Sequence, residues 1–285
     1  MPHTCQDITA PIMAINRHRL TVDGKGVTTL VGLHGCPLSC RYCLNEKCHH
    51  PNGVWKWLSP MELYELVKAD DIYFRATGGG ITFGGGEPAQ HSDFIRAFRN
   101  CCGKEWNITL ESSLNVAQSH IVALKDVVDN YIIDIKTLDS DIYKRYTGKE
   151  VATVIDNLNY LIAQGKADRI TVRTPLIPHH NTPDDVTRTT QQLREMGITH
   201  FDSFTYKTNT DTTAYKNDGT YGKAVCKVMK RIRQVIAEAN NITYSPTECN
   251  HNTCRSGNCP VCEKELLYLT QQIVNKQNNG EIINL

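Results

Sequence analysis

Short β-branched apolar runs recur along the chain and alternate with segments whose apolar residues are spaced for helices. The runs are TTLVGL (28–33), GITF (80–83), NITLES (107–112), YIIDIK (131–136), RITVRT (169–174) and HFDSFTY (200–206). Each has the length and residue types of a buried strand. Helix starts are marked between them. Ser59 precedes Pro60 and Glu62, and Thr182 precedes Pro183 and Asp185, so both sites predict a capping box with proline in the first helical position. Strand and helix repeated about six times predicts a parallel sheet with right-handed crossovers. At 285 residues the chain is short for eight such units plus loops. The expected fold is therefore α/β, a partial (β/α)6 barrel.

The pattern changes near the end. NITY (241–244) reads as one more short strand, and the polar, turn-rich segment after it leads to the helix-like EKELLYLTQQIVNK. Residues 1–245 are assigned to the barrel and 246–285 to an appendage. In parallel β/α folds, ligands gather where the strands end at their C-termini. The residues placed there are a cysteine-rich loop after the first run, GGGE after the second, ESS closing the third, Asp134 and Lys136 ending the fourth, and Arg173 ending the fifth.

Charge narrows the partners. Lys and Arg total 31 against 30 acidic residues with no long run of one sign, which argues against nucleic acid or an anionic membrane. No apolar leader and no run of 18 apolar residues is visible, so a soluble, cytoplasmic protein is expected. Of the 12 cysteines, eight fall into two tight groups, a distribution that suits metal binding better than disulfides.

In GCPLSCRYCLNE, Cys36, Cys40 and Cys43 are spaced four and three apart in a loop containing Gly35 and Pro37. Three thiolates can hold three corners of a cubane and leave the fourth iron without a protein ligand. That iron can chelate the amino and carboxylate groups of a cofactor such as S-adenosylmethionine. A structural zinc would want four ligands, and Cys48, with His49 and His50 beside it, keeps that alternative open.

The spacing C-x3-C-x2-C, with Tyr42 before the third cysteine, resembles the signature of the radical S-adenosylmethionine superfamily. Further motifs resemble the activating enzymes of glycyl radical enzymes, especially the pyruvate formate-lyase activating type. These are DGKG (23–26), Gly85-Gly86-Glu87 within ATGGGITFGGGEP, Asp134 and Lys136 in IIDIK, and Arg173 with Pro178 in RTPLIP. The resemblance implies a [4Fe-4S] cluster on Cys36, Cys40 and Cys43 and bound S-adenosylmethionine. Gly85, Gly86 and Glu87 would then contact the methionyl amino end, while Asp134, Lys136 and Arg173 would hold ribose and carboxylate. Tyr42 would lie by the adenine through its backbone. It also implies a glycyl radical enzyme as protein substrate and a flavodoxin- or ferredoxin-like electron donor. Two stretches depart from the family: Glu111-Ser112-Ser113-Leu114 replaces D-T-N-G, and Thr205-Tyr206-Lys207 replaces P-Y-H.

Cys249, Cys254, Cys259 and Cys262 form C-x4-C-x4-C-x2-C, with Gly257 and Pro260 supplying turns. Four thiols suit a zinc site or a second [4Fe-4S] cluster, and His251 could replace one of them. If NITY is a parallel strand, these cysteines leave its C-terminal end on the active rim, which tips the expectation toward iron–sulfur. Cys101, Cys102 and Cys226 read as packing residues. Two further functions compete with an activating enzyme. One is a radical enzyme acting on a small molecule or peptide with the C-terminal cysteines as an auxiliary cluster. The other is a noncatalytic zinc scaffold, which leaves Gly85, Gly86, Glu87, Asp134 and Lys136 without a role.

Overall fold

A computed structural model describes residues 8–206, 220–248, 254 and 257–285. Its centre is one eight-stranded sheet. The strands are β1 (Ala10–Leu20), β2 (Val27–Leu33), β3 (Lys56–Leu58), β4 (Gly80–Gly85), β5 (Asn107–Ser112), β6 (Asn130–Asp134), β7 (Ile170–Arg173) and β8 (His200–Asp202), in the order β3-β1-β2-β4-β5-β6-β7-β8. From β2 to β8 the six strands are parallel. Among the described residues β3 and β8 are edges, so the sheet is an open barrel of six parallel strands, as the alternation predicts.

The helices are α1 (Pro60–Val67), α2 (Asp71–Thr77), α3 (Ser92–Cys102), α4 (Gln118–Leu124), α5 (Ser140–Thr147), α6 (Ala152–Ala163), α7 (Pro183–Glu195), α8 (Thr220–Ala239) and α9 (Pro260–Asn278). Both expected capping boxes are present. The Ser59 hydroxyl accepts from the Glu62 N–H while the Glu62 carboxylate accepts from the Ser59 N–H, and Thr182 and Asp185 exchange the same pair. The main core lies between the sheet and the helices on its outer face, with Val31, Ile81, Phe83, Ile108, Leu110, Ile133 and Val172 meeting Phe94, Phe98, Leu158 and Leu193.

Three expectations are corrected. The sheet begins before residue 28: β1 and β3 add antiparallel strands outside β2. Segment 241–244 is not a strand. Asn241 takes a left-handed conformation (φ 53°) just past α8, and Tyr244 is held by its hydroxyl instead of by a ladder. The sixth run stops pairing at Asp202 apart from a single bridge between Leu176 and Thr205.

Helices α8 and α9 share a second apolar cluster with the barrel, in which Val225, Met229, Leu266 and Leu269 meet Val27, Ile72 and Tyr73. Polar groups reinforce this seam. Arg17 bridges Asp70 (2.7 Å) and Glu263 (2.6 Å), and His18 lies 3.0 Å from Asp70. Burial alone would raise Asp70, but Arg17 and His18 hold it below the usual carboxylate range. On α8 the buried Arg233 donates to Glu265 of α9 (2.6 Å), to Tyr73 of α2 and to Tyr244. No described helix is long and apolar enough to cross a membrane.

Removing one member of a buried charge network strands the others. Arg233→Ala is expected to lower unfolding stability by about 3–5 kcal/mol. Arg231→Ala, whose 3.9 Å contact with Glu238 is exposed, should cost less than about 1 kcal/mol. Urea midpoints of the two variants check this, and equal shifts would contradict the network.

Candidate active site at the strand ends

The cysteine loop leaves β2 at Leu33 and is fastened backbone to backbone. Gly86 N–H donates to Leu33 C=O (2.8 Å), Glu87 N–H to Gly35 C=O (2.7 Å), and Gly35 N–H to Cys48 C=O (3.1 Å). This closeness is why the end of β4 and the residue after it are glycine. A Cβ on Gly86 would stand 2.1 Å from the Gly35 oxygen, and Gly85, at φ +99°, would drive one to 2.8 Å from Gly32 Cα.

Cys36, Cys40 and Cys43 line one cavity together with Cys48, Gly85, Gly86, Glu111, Ser112, Ser113, Asp134, Lys136, Arg173, Phe204 and Tyr206. The ends of β2, β4, β5, β6 and β7 thus converge, and six of the expected cofactor-site positions (three cysteines, Asp134, Lys136, Arg173) share one space with the two glycines. A wider opening adjoins it, sharing Cys43, Gly85, Glu111, Arg173 and Phe204 and adding Asn16, Arg19 and Asp23. Burial pushes the Cys36 thiol up to about 12 and Cys40 to about 11, so a metal must displace protons there.

The cations on the wall are fixed by carboxylates. Lys136 Nζ lies 3.2 Å from Asp134 Oδ2 and 5.8 Å from the Tyr206 ring centre. Burial opposes its charge, but Asp134 together with Tyr206, Cys40 and Tyr146 outweighs this and the ammonium is held above its ordinary value. Arg173 donates to Glu111 (2.7 Å), Asp202 (3.3 Å) and the Val22 carbonyl (2.9 Å). Burial raises Glu111, and the Arg173 guanidinium opposes that rise. Asp134 Oδ1 is buried with no hydrogen-bond partner. A ribose hydroxyl or an ammonium reaching it would satisfy that oxygen, so the residues present fit a [4Fe-4S] cluster with S-adenosylmethionine.

Two of the expected residues, Glu87 and Tyr42, do not line the cavity, and the contact expected of Tyr42 runs through its backbone. Glu87 is fully buried with its carboxylate turned to β5, where it accepts from Ser112 Oγ (2.7 Å), Ser113 N–H (2.9 Å) and Ser113 Oγ (2.6 Å). The Tyr42 ring packs on His180 (5.4 Å) and Tyr146 (6.5 Å), outside the cavity lining. Glu111, Asp202, Phe204 and Tyr206 are site residues that sequence reasoning had not assigned. For Asp202 and Phe204 the signal was position alone, within the sixth run, while Glu111 and Tyr206 stood in the two stretches that depart from the family motifs. Lys207 lies outside the described residues.

The second cysteine group has a different membership and place. Cys249 lies outside the described residues. Cys254, Cys259 and Cys262 gather with Cys226 of α8, a residue read from sequence as packing and outside this group. Gly257, in the same segment, sits against His18, and Glu263 pairs with Arg17. Those β1 residues lie between the register pairs Asn16↔Leu30 and Arg19↔Thr28. They are four or five residues from the rim, roughly 15 Å of strand, and the group packs with α8 beside α2. It is not on the active rim.

The model of the family described as the radical SAM superfamily matches residues 30–193. Among curated proteins, the chain is 28% identical over 206 residues to the pyruvate formate-lyase 2-activating enzyme of Escherichia coli (strain K12), covering 61% of this chain and 69% of that one. It is 33% identical over 233 residues to the (2S)-3-sulfopropanediol dehydratase activating enzyme of Klebsiella oxytoca, covering 60% and 73%. Among solved structures, Streptococcus suis SuiB aligns with a TM-score of 0.48 at 15% identity, over 76% of this chain and 48% of that one.

Asp134→Ala and Lys136→Ala are expected to keep the iron of the protein and weaken S-adenosylmethionine binding by about tenfold or more, a loss of at least ~1.4 kcal/mol. Cys40→Ala should instead lose the cluster iron. Iron analysis beside a binding isotherm separates these effects, and an unchanged isotherm for both wall variants would remove their assigned role.

Proposed function

The chain belongs to the radical S-adenosylmethionine superfamily, and on that footing we propose that it activates a glycyl radical enzyme by taking hydrogen from a glycine in a loop of that partner. One observation carries the reading: Cys36, Cys40 and Cys43 share a cavity with Asp134, Lys136 and Arg173, in a chain similar over about 60% of its length to activating enzymes. Bound there, a [4Fe-4S] cluster would supply the one-electron reduction of S-adenosylmethionine, and the cofactor, giving up methionine, would supply the 5′-deoxyadenosyl group that takes the hydrogen.

The chain's own residues bind, orient and exclude. Cys36, Cys40 and Cys43 are the cluster ligands. Gly85 and Gly86 bring backbone close to the methionyl end, and Asp134, Lys136 and Arg173 hold ribose and carboxylate. Glu87 acts through β5, since its carboxylate fixes Ser112 and Ser113 in the cavity wall. Tyr42 and Tyr146 pack behind Cys40 and limit water on that side. Leu44 and Phe204 line the cavity yet remain exposed, which suits coverage by an entering polypeptide. Among the described residues the sheet is unclosed between β3 and β8, an arrangement that suits lateral entry of such a loop. A flavodoxin- or ferredoxin-like protein is the electron donor in this reading.

The competing reading, an enzyme acting on a small molecule or peptide with an auxiliary cluster, needs the C-terminal cysteines near the substrate mouth. Their position beside His18 and α8 gives it no support.

Anaerobic reconstitution with a candidate glycyl radical enzyme, S-adenosylmethionine and reductant is expected to give a glycyl signal by electron paramagnetic resonance. Cys36→Ala, Cys40→Ala and Cys43→Ala should each abolish it along with 5′-deoxyadenosine formation. Steady 5′-deoxyadenosine release without a glycyl signal for any candidate would reject the activating role and leave the superfamily chemistry intact.

A further inference from the structure

One thiol at the rim has no assigned part. Cys48 lines the same cavity as Cys36, Cys40 and Cys43, yet it falls outside their spacing and is only 2% exposed. The sulfurs of Cys43 and Cys48 and a ring nitrogen of His49 lie within 4.8 Å of one another. After burial, the strongest influence on the Cys48 thiol is Cys43, by charge and by hydrogen bonding, with Cys40 next. Cys36 in turn feels the charge of Cys48.

The backbone fixes that position. Cys48 sits in the short turn Glu46–His49, where its N–H donates to Asn45 C=O (2.8 Å) and its C=O accepts from Gly35 N–H (3.1 Å). Asn45 is itself tied to the end of β4, its Nδ2 donating to Gly85 C=O (2.9 Å). A second turn, Pro51–Gly53, closes on the first so tightly that a Cβ on Gly53 would stand 1.9 Å from the Lys47 oxygen. The thiol is therefore carried by the same joint that carries the cysteine loop.

We propose that Cys48 is a positioning residue for the cluster: as a neutral thiol it donates an S–H···S hydrogen bond to the Cys43 sulfur and makes the cluster easier to reduce.

The chemistry favours a donor over a fourth ligand. Thiolates on different irons have the body of the cluster between them, whereas Cys43 and Cys48 lean together. A fourth thiolate would also close the iron position that S-adenosylmethionine needs. Another negative charge beside three half-buried thiolates is costly, but a neutral thiol offers a weak donor without adding charge. An electron entering the cluster increases the negative charge on its sulfurs. A hydrogen bond to one of them therefore stabilises the reduced form more than the oxidised form, which raises the potential. Cys43, Cys48 and His49 could hold a lone ion only by taking Cys43 away from the cluster.

The inference rests on the cluster reading of Cys36, Cys40 and Cys43 and not on the identity of the partner. Its test is an anaerobic redox titration of the reconstituted full-length protein without S-adenosylmethionine, followed by electron paramagnetic resonance. Cys48→Ala and Cys48→Val both remove the donor, and valine also fills its volume. Each should keep the iron and lower the equilibrium constant for one-electron reduction by about tenfold or more, a shift of at least about 59 mV to more negative potential. Cys48→Ser, whose hydroxyl can donate, should stay nearer the unmodified protein than either. Should the alanine variant fail to fold, valine and serine still decide. An unmoved potential in Cys48→Val, or a serine shift as large as that of valine, would overturn the hydrogen bond. Iron lost from folded Cys48→Ala and Cys48→Val alike would make Cys48 a ligand and overturn it too. Unmodified protein that takes up no iron would instead reject the cluster reading itself.

Discussion

Two backbone hydrogen bonds, from Gly86 to Leu33 and from Glu87 to Gly35, fasten the cysteine loop to the strand beside it. Everything that follows at the rim depends on this closeness. It requires residues without side chains at 85 and 86, and it places the loop within reach of the next three strand ends. Parallel register then does the rest: Asp134 pairs with Arg173 at one level, and Glu111, opposite Ile132, lies two residues below Asp134 on the neighbouring strand. Glu87 extends the same joint sideways by using its carboxylate to hold Ser112 and Ser113. A buried carboxylate is tolerated here because each oxygen is matched by donors.

The charge of the wall follows from that convergence. Glu111, Asp134, Asp23 and Asp202 face Lys136, Arg173 and Arg19, so four carboxylates meet three cations. Such a wall favours a cofactor that brings positive charge of its own. A sulfonium and an ammonium on one small molecule answer that description, and the unpartnered Asp134 oxygen marks where a donor is wanting.

Most of the rim was legible because it is local. The thiol spacing in Cys36, Cys40 and Cys43, the glycines at 85 and 86, and the run ending in Asp134 and Lys136 each sit on one short segment, and β/α alternation alone aligns them. The capping boxes at Ser59 and Thr182 were readable for the same reason. What escaped depends on contacts between distant segments. Cys226, in an amphipathic helix, reads only as a packing residue until α9 brings Cys262 to it. NITY has strand-like residues, yet Tyr244 is drawn into the Arg233 and Glu265 network instead of a ladder. The first strand was hidden by the polar Asn16-Arg17-His18-Arg19, whose partners are Asp70, Glu263 and Asp23, none of them closer than four residues along the chain.

The pairing of Arg17 with Glu263 spans 246 positions and has a consequence during synthesis. A ribosome adding about 5–20 residues per second needs on the order of 12–50 s to deliver the second partner after the first has emerged. Throughout that interval the nascent barrel carries Val27, Ile72 and Tyr73 uncovered, since the residues that bury them belong to α8 and α9. The last segment made is thus the lid of the first, and a stalled or shortened translation product would expose an adhesive apolar face while its cysteine loop was already complete.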